Sequence, residues 1–265
     1  MKTLEKENQT EELFKRKNKN LLSVYYTAGY PALNDTVRIG QWLAQAGADM
    51  IEIGIPFSDP VADGPVIQES SKVALENGMT LNLLLEQVGE LRSGVKIPIV
   101  LMGYINPILQ MGVASFCERA AHAGVDAVII PDLPLLEYQE SYQGIFESWG
   151  IKNIFMVTPT TSEERIRAID DSSSAFIYVV SSSGTTGARK DFSGEQIDYL
   201  NRLKQMKLKN PWLVGFGVSN KTTFSTICDY SAGAIVGSAF IAMLKNSNNF
   251  SADIPNFVQS IKAKS

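Results

Sequence analysis

Met50-Ile51-Glu52-Ile53-Gly54-Ile55 is a short apolar, branched run broken by one ionisable side chain. Strand alternation gives it two faces, and Glu52 aside both are apolar, as suits a strand covered on both sides within a parallel sheet. Seven more runs of this kind recur: LLSVYYT at 21–27, IPIVLMG at 97–103, AVIIPD at 127–132, NIFMVT at 153–158, FIYVVS at 176–181, WLVGFG at 212–217 and GAIVGS at 233–238. Between them lie stretches of helical period over Asn34–Ala46, Val66–Glu76, Leu81–Ser93, Val113–Ala123, Tyr138–Trp149, Ser162–Asp171, Ser193–Met206 and Lys221–Tyr230. About eight strand–helix repeats match an α/β fold of the closed (β/α)8, or TIM-barrel, type. A doubly wound open sheet is the competing architecture, and the lack of G-x-G-x-x-G after the first run counts against its dinucleotide-binding form.

The punctuation agrees with this division. Gly47, Gly124 and Gly150 follow helical stretches as C-caps, and Asn34, Ser162 and Asn220 precede others as N-caps. No Pro/Gly/Ser-rich linker divides the chain, so a single barrel domain over 1–265 is expected. An extra amphipathic helix, about Thr10–Lys17, is expected to plug the barrel bottom.

Composition narrows the function. With 24 Lys and Arg spread along the chain against 28 Asp and Glu, the net charge is -4 and no basic patch for nucleic acid appears. The two cysteines, Cys117 and Cys228, fall among apolar neighbours and are expected as free buried thiols. The first twenty residues are charged throughout, without the apolar run of a secretory signal or membrane span, so a cytoplasmic location is expected. His122 is the single histidine and lies mid-helix, so no metal site is expected.

In a barrel, chemistry gathers at the C-terminal ends of the strands. Glu52 shares a face with Met50 and Gly54, where an inward carboxyl near the mouth would be desolvated and its pKa raised towards neutrality, fit for general acid–base work. The bland alternative is a structural glutamate bonded to backbone or tyrosine. Asp63 follows in a proline-stiffened loop, where it would serve as N-cap of the next helix, catalytic group, or both. Gly184-Thr185-Thr186-Gly187, Gly215-Phe216-Gly217 and Gly237-Ser238 lie after the sixth, seventh and eighth runs. Exposed backbone N–H groups there, with Ser238 opening a short helix, would hold a phosphate at strands seven and eight without a lysine. No lysine ends a strand, so a Schiff-base mechanism lacks its nucleophile.

The run Glu52-Ile53-Gly54-Ile55-Pro56-Phe57-Ser58-Asp59-Pro60-Val61-Ala62-Asp63-Gly64-Pro65 resembles the signature of the tryptophan synthase alpha subunit family. The likeness extends through Tyr26–Pro31, Tyr104–Pro107, Pro131–Pro134 and the three glycine clusters, over roughly Leu13 to Leu244. It implies a (β/α)8 barrel that cleaves indole-3-glycerol phosphate to indole and glyceraldehyde 3-phosphate. It further implies no cofactor in this chain, with pyridoxal phosphate only in a beta subunit partner and an alpha2beta2 heterotetramer.

By position, the resemblance gives Glu52 the acid–base role, Asp63 the hold on the indole N–H, and Tyr178 a place beside the glutamate. Tyr25, Ile67, Met102 and Ile129 match the indole pocket, for which core packing is the competing role. Thr186, Gly187, Gly215, Phe216, Gly217, Gly237 and Ser238 match the substrate and phosphate contacts. Pro56, Asp59 and Asn106 match positions facing the beta subunit, or serve turn geometry. The chain departs from the common Ser-Arg-x-Gly-Val-Thr-Gly pattern with Ser181-Ser182-Ser183-Gly184-Thr185-Thr186-Gly187, and carries Tyr25 where phenylalanine is frequent. A stand-alone lyase that releases indole and a non-catalytic phosphate-binding regulatory barrel are the alternatives.

Overall fold

The structure, a computed structural model, describes residues 8–60, 63–181, 192–215 and 217–262. The described strands are β1 (Leu21–Thr27), β2 (Met50–Gly54), β3 (Ile99–Met102), β4 (Ala127–Ile129), β5 (Lys152–Ile154), β6 (Met156–Val157), β7 (Ile177–Val180), β8 (Trp212–Gly215) and β9 (Gly233–Val236). They form one parallel sheet in the order β5-β4-β3-β2-β1-β9-β8-β7-β6. Its two ends, β5 and β6, are parted only by Phe155, whose carbonyl accepts from the Tyr178 N–H at 2.9 Å. The fifth apolar run is therefore one stave broken at one residue, and eight staves close the barrel. The open-sheet alternative is excluded.

Around the barrel run α1 (Gln9–Arg16), α2 (Asp35–Gln45), α3 (Pro65–Glu76), α4 (Leu81–Gly94), α5 (Ile105–Met111), α6 (Val113–Ala123), α7 (Leu135–Glu137) and α8 (Gln143–Ser148). They continue as α9 (Glu163–Ser172), α10 (Gly194–Gln205), α11 (Lys221–Cys228), α12 (Ser238–Asn246) and α13 (Phe250–Lys262). The expected helix over Tyr138–Trp149 is divided, with a π-helical turn at Tyr138–Tyr142 before α8. Gly47, Gly124 and Gly150 take φ of 92°, 89° and 69° after their helices, the left-handed conformation that glycine adopts at least cost. Ser162 and Asn220 accept from Arg165 N–H and Thr223 N–H as caps. Asn34 does not cap α2: its backbone is not extended, and the Asp35 carboxylate accepts from Ala32 N–H instead.

Two apolar layers result. The outer joins strand backs to helices. The inner fills the barrel with Leu21, Met50, Val100, Ile154, Phe176 and Leu213 among others, so the barrel is a packed core rather than a pore. Leu13 of α1 joins the inner layer, and the ring of Phe14 lies 5.7 Å from that of Phe176. The plug forms as expected, one residue earlier at each end. Asp126, 2% exposed, fastens it: its carboxylate accepts from Gln9 N–H at 3.1 Å, Ile99 N–H at 2.9 Å and Arg92 Nη2 at 2.5 Å.

Candidate active site

Glu52 lies opposite Tyr25 in the β1–β2 register and is fully buried. Ser23 Oγ donates to its Oε1 at 2.8 Å, while Oε2 is buried without a hydrogen-bond partner among the described residues. Burial pushes the Glu52 pKa up to about 7, against the Ser23 hydrogen bond, which lowers it. The carboxyl can therefore both give and take a proton near neutral pH.

Two tyrosines flank it. Burial first, then the charges of Glu52 and Asp63, drives the Tyr178 phenol well above its ordinary value. Burial and Asp63 do the same to Tyr25. Both hydroxyls stay protonated and offer donors. Tyr178 sits second in β7 rather than at its end, and each ring is accommodated by a glycine on the neighbouring strand: a Cβ at Gly215 would overlap the Tyr178 hydroxyl, and one at Gly54 the Tyr25 hydroxyl.

Asp63 does not cap α3. Gly64 occupies that position, with Pro65 first in the helix, and the Asp63 carboxylate instead accepts from Tyr104 Oη at 3.2 Å. Burial raises its pKa and the Tyr104 bond lowers it. Asp63, Tyr25 and Tyr178 border a cavity of about 170 Å³ whose apolar wall includes Ile67 and Met102. Its lining also includes Gly217 to Ser219 and Gly237 to Ala239, where α12 begins. The N–H groups of a helix start and its positive dipole end favour an anion. One cavity thus carries a carboxylate, two phenols and the start of a helix.

A model of the tryptophan synthase alpha chain family matches residues 12–263 of this sequence. The chain belongs to the tryptophan synthase alpha chain family. The tryptophan synthase alpha chain of Flavobacterium psychrophilum is 53% identical over 246 residues, covering 93% of this chain and 96% of that one. The structure of Mycobacterium tuberculosis tryptophan synthase superposes with a TM-score of 0.88 at 30% identity, covering 97% of this chain and 98% of that one. The tryptophan synthase complex from Pyrococcus furiosus gives 0.84 at 34% identity, over 92% and 98%.

On this tryptophan synthase alpha scaffold, Asp63, Tyr178, Tyr25, Ile67, Met102, Gly217, Gly237 and Ser238 all meet at the cavity. Glu52 does not line it, but it is the register partner of Tyr25 and its charge raises the pKa of both Tyr25 and Tyr178, which do. Ile129, fully buried in the inner layer, and Gly215, which makes room for Tyr178, are not among the lining residues either. Thr186, Gly187, Phe216 and the Ser182–Gly184 departure lie outside the described residues. Asp59 and Asn106 are exposed, whereas Pro56 is buried and shapes its loop from within. Sequence reasoning passed over Tyr104 and Ser23 as functional groups. Tyr104 stands just past the end of a strand, a position that merits attention in any barrel; Ser23 is marked only as a polar side chain two places before Tyr25 on the same face. Among the described residues no cluster of His, Cys, Asp and Glu is arranged to hold a metal, and no helix is long and apolar enough to cross a membrane.

Proposed function

We propose that this chain cleaves indole-3-glycerol phosphate to indole and glyceraldehyde 3-phosphate in tryptophan biosynthesis, as the cytoplasmic alpha partner of a beta subunit in an alpha2beta2 assembly. The observation that carries this is one cavity lined by Asp63, Tyr178 and the N-terminus of α12, with the buried Glu52 acting by its charge on Tyr178. The phosphate sits at Gly237-Ser238, helped by Gly217, and the indole ring lies against Ile67 and Met102.

Protonated Glu52 delivers its proton to indole C3, leaving positive charge on the ring nitrogen that the Asp63 carboxylate stabilises. The bond from C3 to the glycerol carbon then breaks, and its electron pair restores the aromatic ring. The glycerol hydroxyl becomes the aldehyde as its proton passes to Glu52, so the acid is regenerated and the proton count closes. The chemistry is acid–base work by the chain's own carboxylates, with pyridoxal phosphate assigned to the beta partner alone. Exposed Asp59, in the loop after β2, and Asn106, in the first turn of α5 after β3, lie at the end of the barrel where the cavity opens and support docking of that partner over the mouth. Two free, buried cysteines fit a reducing compartment.

The test is indole release from indole-3-glycerol phosphate by wild type, Glu52→Gln and Asp63→Asn, each with and without a tryptophan synthase beta subunit. Cleavage stimulated by beta and lost in Glu52→Gln supports activity and partnership together. Cleavage indifferent to beta would point to a stand-alone lyase, and none by wild type under either condition would overturn the assignment.

A further inference from the structure

Within the inner layer of the barrel the side chains are apolar with few exceptions, and one of these is Ser23. It is fully buried, and its hydroxyl donates to Glu52 Oε1 at 2.8 Å. Its height in the barrel matters: in the β1–β2 register Ser23 pairs with Met50 and Tyr25 pairs with Glu52, so Ser23 stands one inward layer below the glutamate, on the side of the α1 plug. The donor therefore draws Oε1 away from the mouth and leaves Oε2, which has no hydrogen-bond partner among the described residues, as the oxygen for the substrate.

We propose that Ser23 is a positioning residue for the Glu52 acid, holding Oε1 as a permanent acceptor so that the transferable proton resides on Oε2. This rests on the lyase assignment above and refines it. A neutral carboxylic acid has one hydroxyl oxygen and one carbonyl oxygen, and a neighbouring donor is satisfied only by the latter. A hydroxyl that can turn to donate to Oε1 thus selects the tautomer with the proton on Oε2. When that proton has moved to indole C3, the same hydrogen bond stabilises the carboxylate that remains.

Three other groups bear on Glu52, two beside it in the sheet and one from across the barrel. Tyr25 on β1 and Tyr178 on β7 are titratable but held in the neutral phenol form by burial, with Asp63 acting on both in the same sense. Val100 is the register partner from β3 and is apolar. Among the described residues, Ser23 is the one whose hydrogen bond lowers the Glu52 pKa.

The experiment is the pH dependence of kcat and kcat/KM for wild type, Ser23→Ala and Ser23→Thr with indole-3-glycerol phosphate and the beta subunit, beside a ¹³C-carboxyl NMR titration of Glu52 assigned by its loss in Glu52→Gln. In Ser23→Ala, kcat should fall about tenfold with KM within about twofold, and the alkaline limb and the NMR titration should both move up by about one pH unit. Ser23→Thr, which keeps the hydroxyl, should restore the wild-type limb. A Ser23→Ala enzyme with unchanged limb and unchanged Glu52 titration overturns the positioning role while leaving the lyase assignment intact. Absence of cleavage by wild type would defeat the lyase assignment instead, and the NMR titration would still decide whether Ser23 governs the carboxyl.

Discussion

The phenolic hydroxyl of Tyr104 donates to Oδ2 of Asp63 at 3.2 Å and ties the loop after β2 to the end of β3. The bond favours the charged carboxylate against burial, which raises the Asp63 pKa. Tyr104→Phe removes that support, so the Asp63 pKa rises further and the anion needed at the indole nitrogen is lost at a higher pH. Profiles of kcat/KM should show the acid limb displaced upward, with a loss of roughly 3–10-fold near pH 6 that shrinks towards pH 8. Asp63→Asn should cost about 10²-fold or more above the acid limb, since no charge remains to stabilise the ring nitrogen.

Glu52 carries a stability cost as well as a chemical use. Its folded pKa of about 7 lies above the ordinary 4.5, so the folded chain binds the proton more tightly than the unfolded chain does. Stability is fully present below pH 4.5 and declines as pH rises to about 7; the span corresponds to roughly 3 kcal/mol. Glu52→Gln, neutral at every pH, should therefore melt above wild type at pH 8 and close to it at pH 5, while its kcat falls by about 10³-fold. Equal wild-type and variant melting differences at the two pH values would refute the burial penalty.

How much of this could be read in advance depends on what a residue's own type reveals. The staves were legible because doubly covered strands are apolar on both faces, and Glu52 because an ionisable group in such a strand demands a reason. Gly215 is different: its lack of a side chain is visible, but the Tyr178 ring that uses the space arrives from the next strand. Ile129 likewise is apolar whether it lines a cavity or fills the inner layer, and only packing tells which. Asn34 looks like a cap, yet its backbone conformation hands the task to Asp35. The helix α13 escaped notice with Pro255 inside it, though Ile254, Val258 and Ile261 form a buried stripe of helical spacing.

Gly215→Ala places a methyl group against the Tyr178 hydroxyl and ring. The tyrosine must give way, since both strands are packed on each face. A stability loss of about 1–3 kcal/mol is expected by chemical denaturation, with a larger proportional fall in kcat than in KM affinity because the ring beside Glu52 is displaced.

At the anion wall, Ser238→Asp sets a negative charge at the start of α12, where the substrate's phosphate is to sit. KM for indole-3-glycerol phosphate should rise at least about tenfold and competitive inhibition by inorganic phosphate should disappear, while the melting temperature holds or increases because an acidic residue suits a helix start. Retained phosphate inhibition would place the anion site elsewhere.

The α1 stopper makes the barrel a vessel with one door. Leu13 and Phe14 seat against the innermost side chains, and among the described residues the interior is filled with apolar groups. Two products formed inside must then queue for the same exit that admitted their parent. The order of departure then becomes a property of the doorway. Whatever is placed over that door inherits control of the traffic, without touching a single reacting atom.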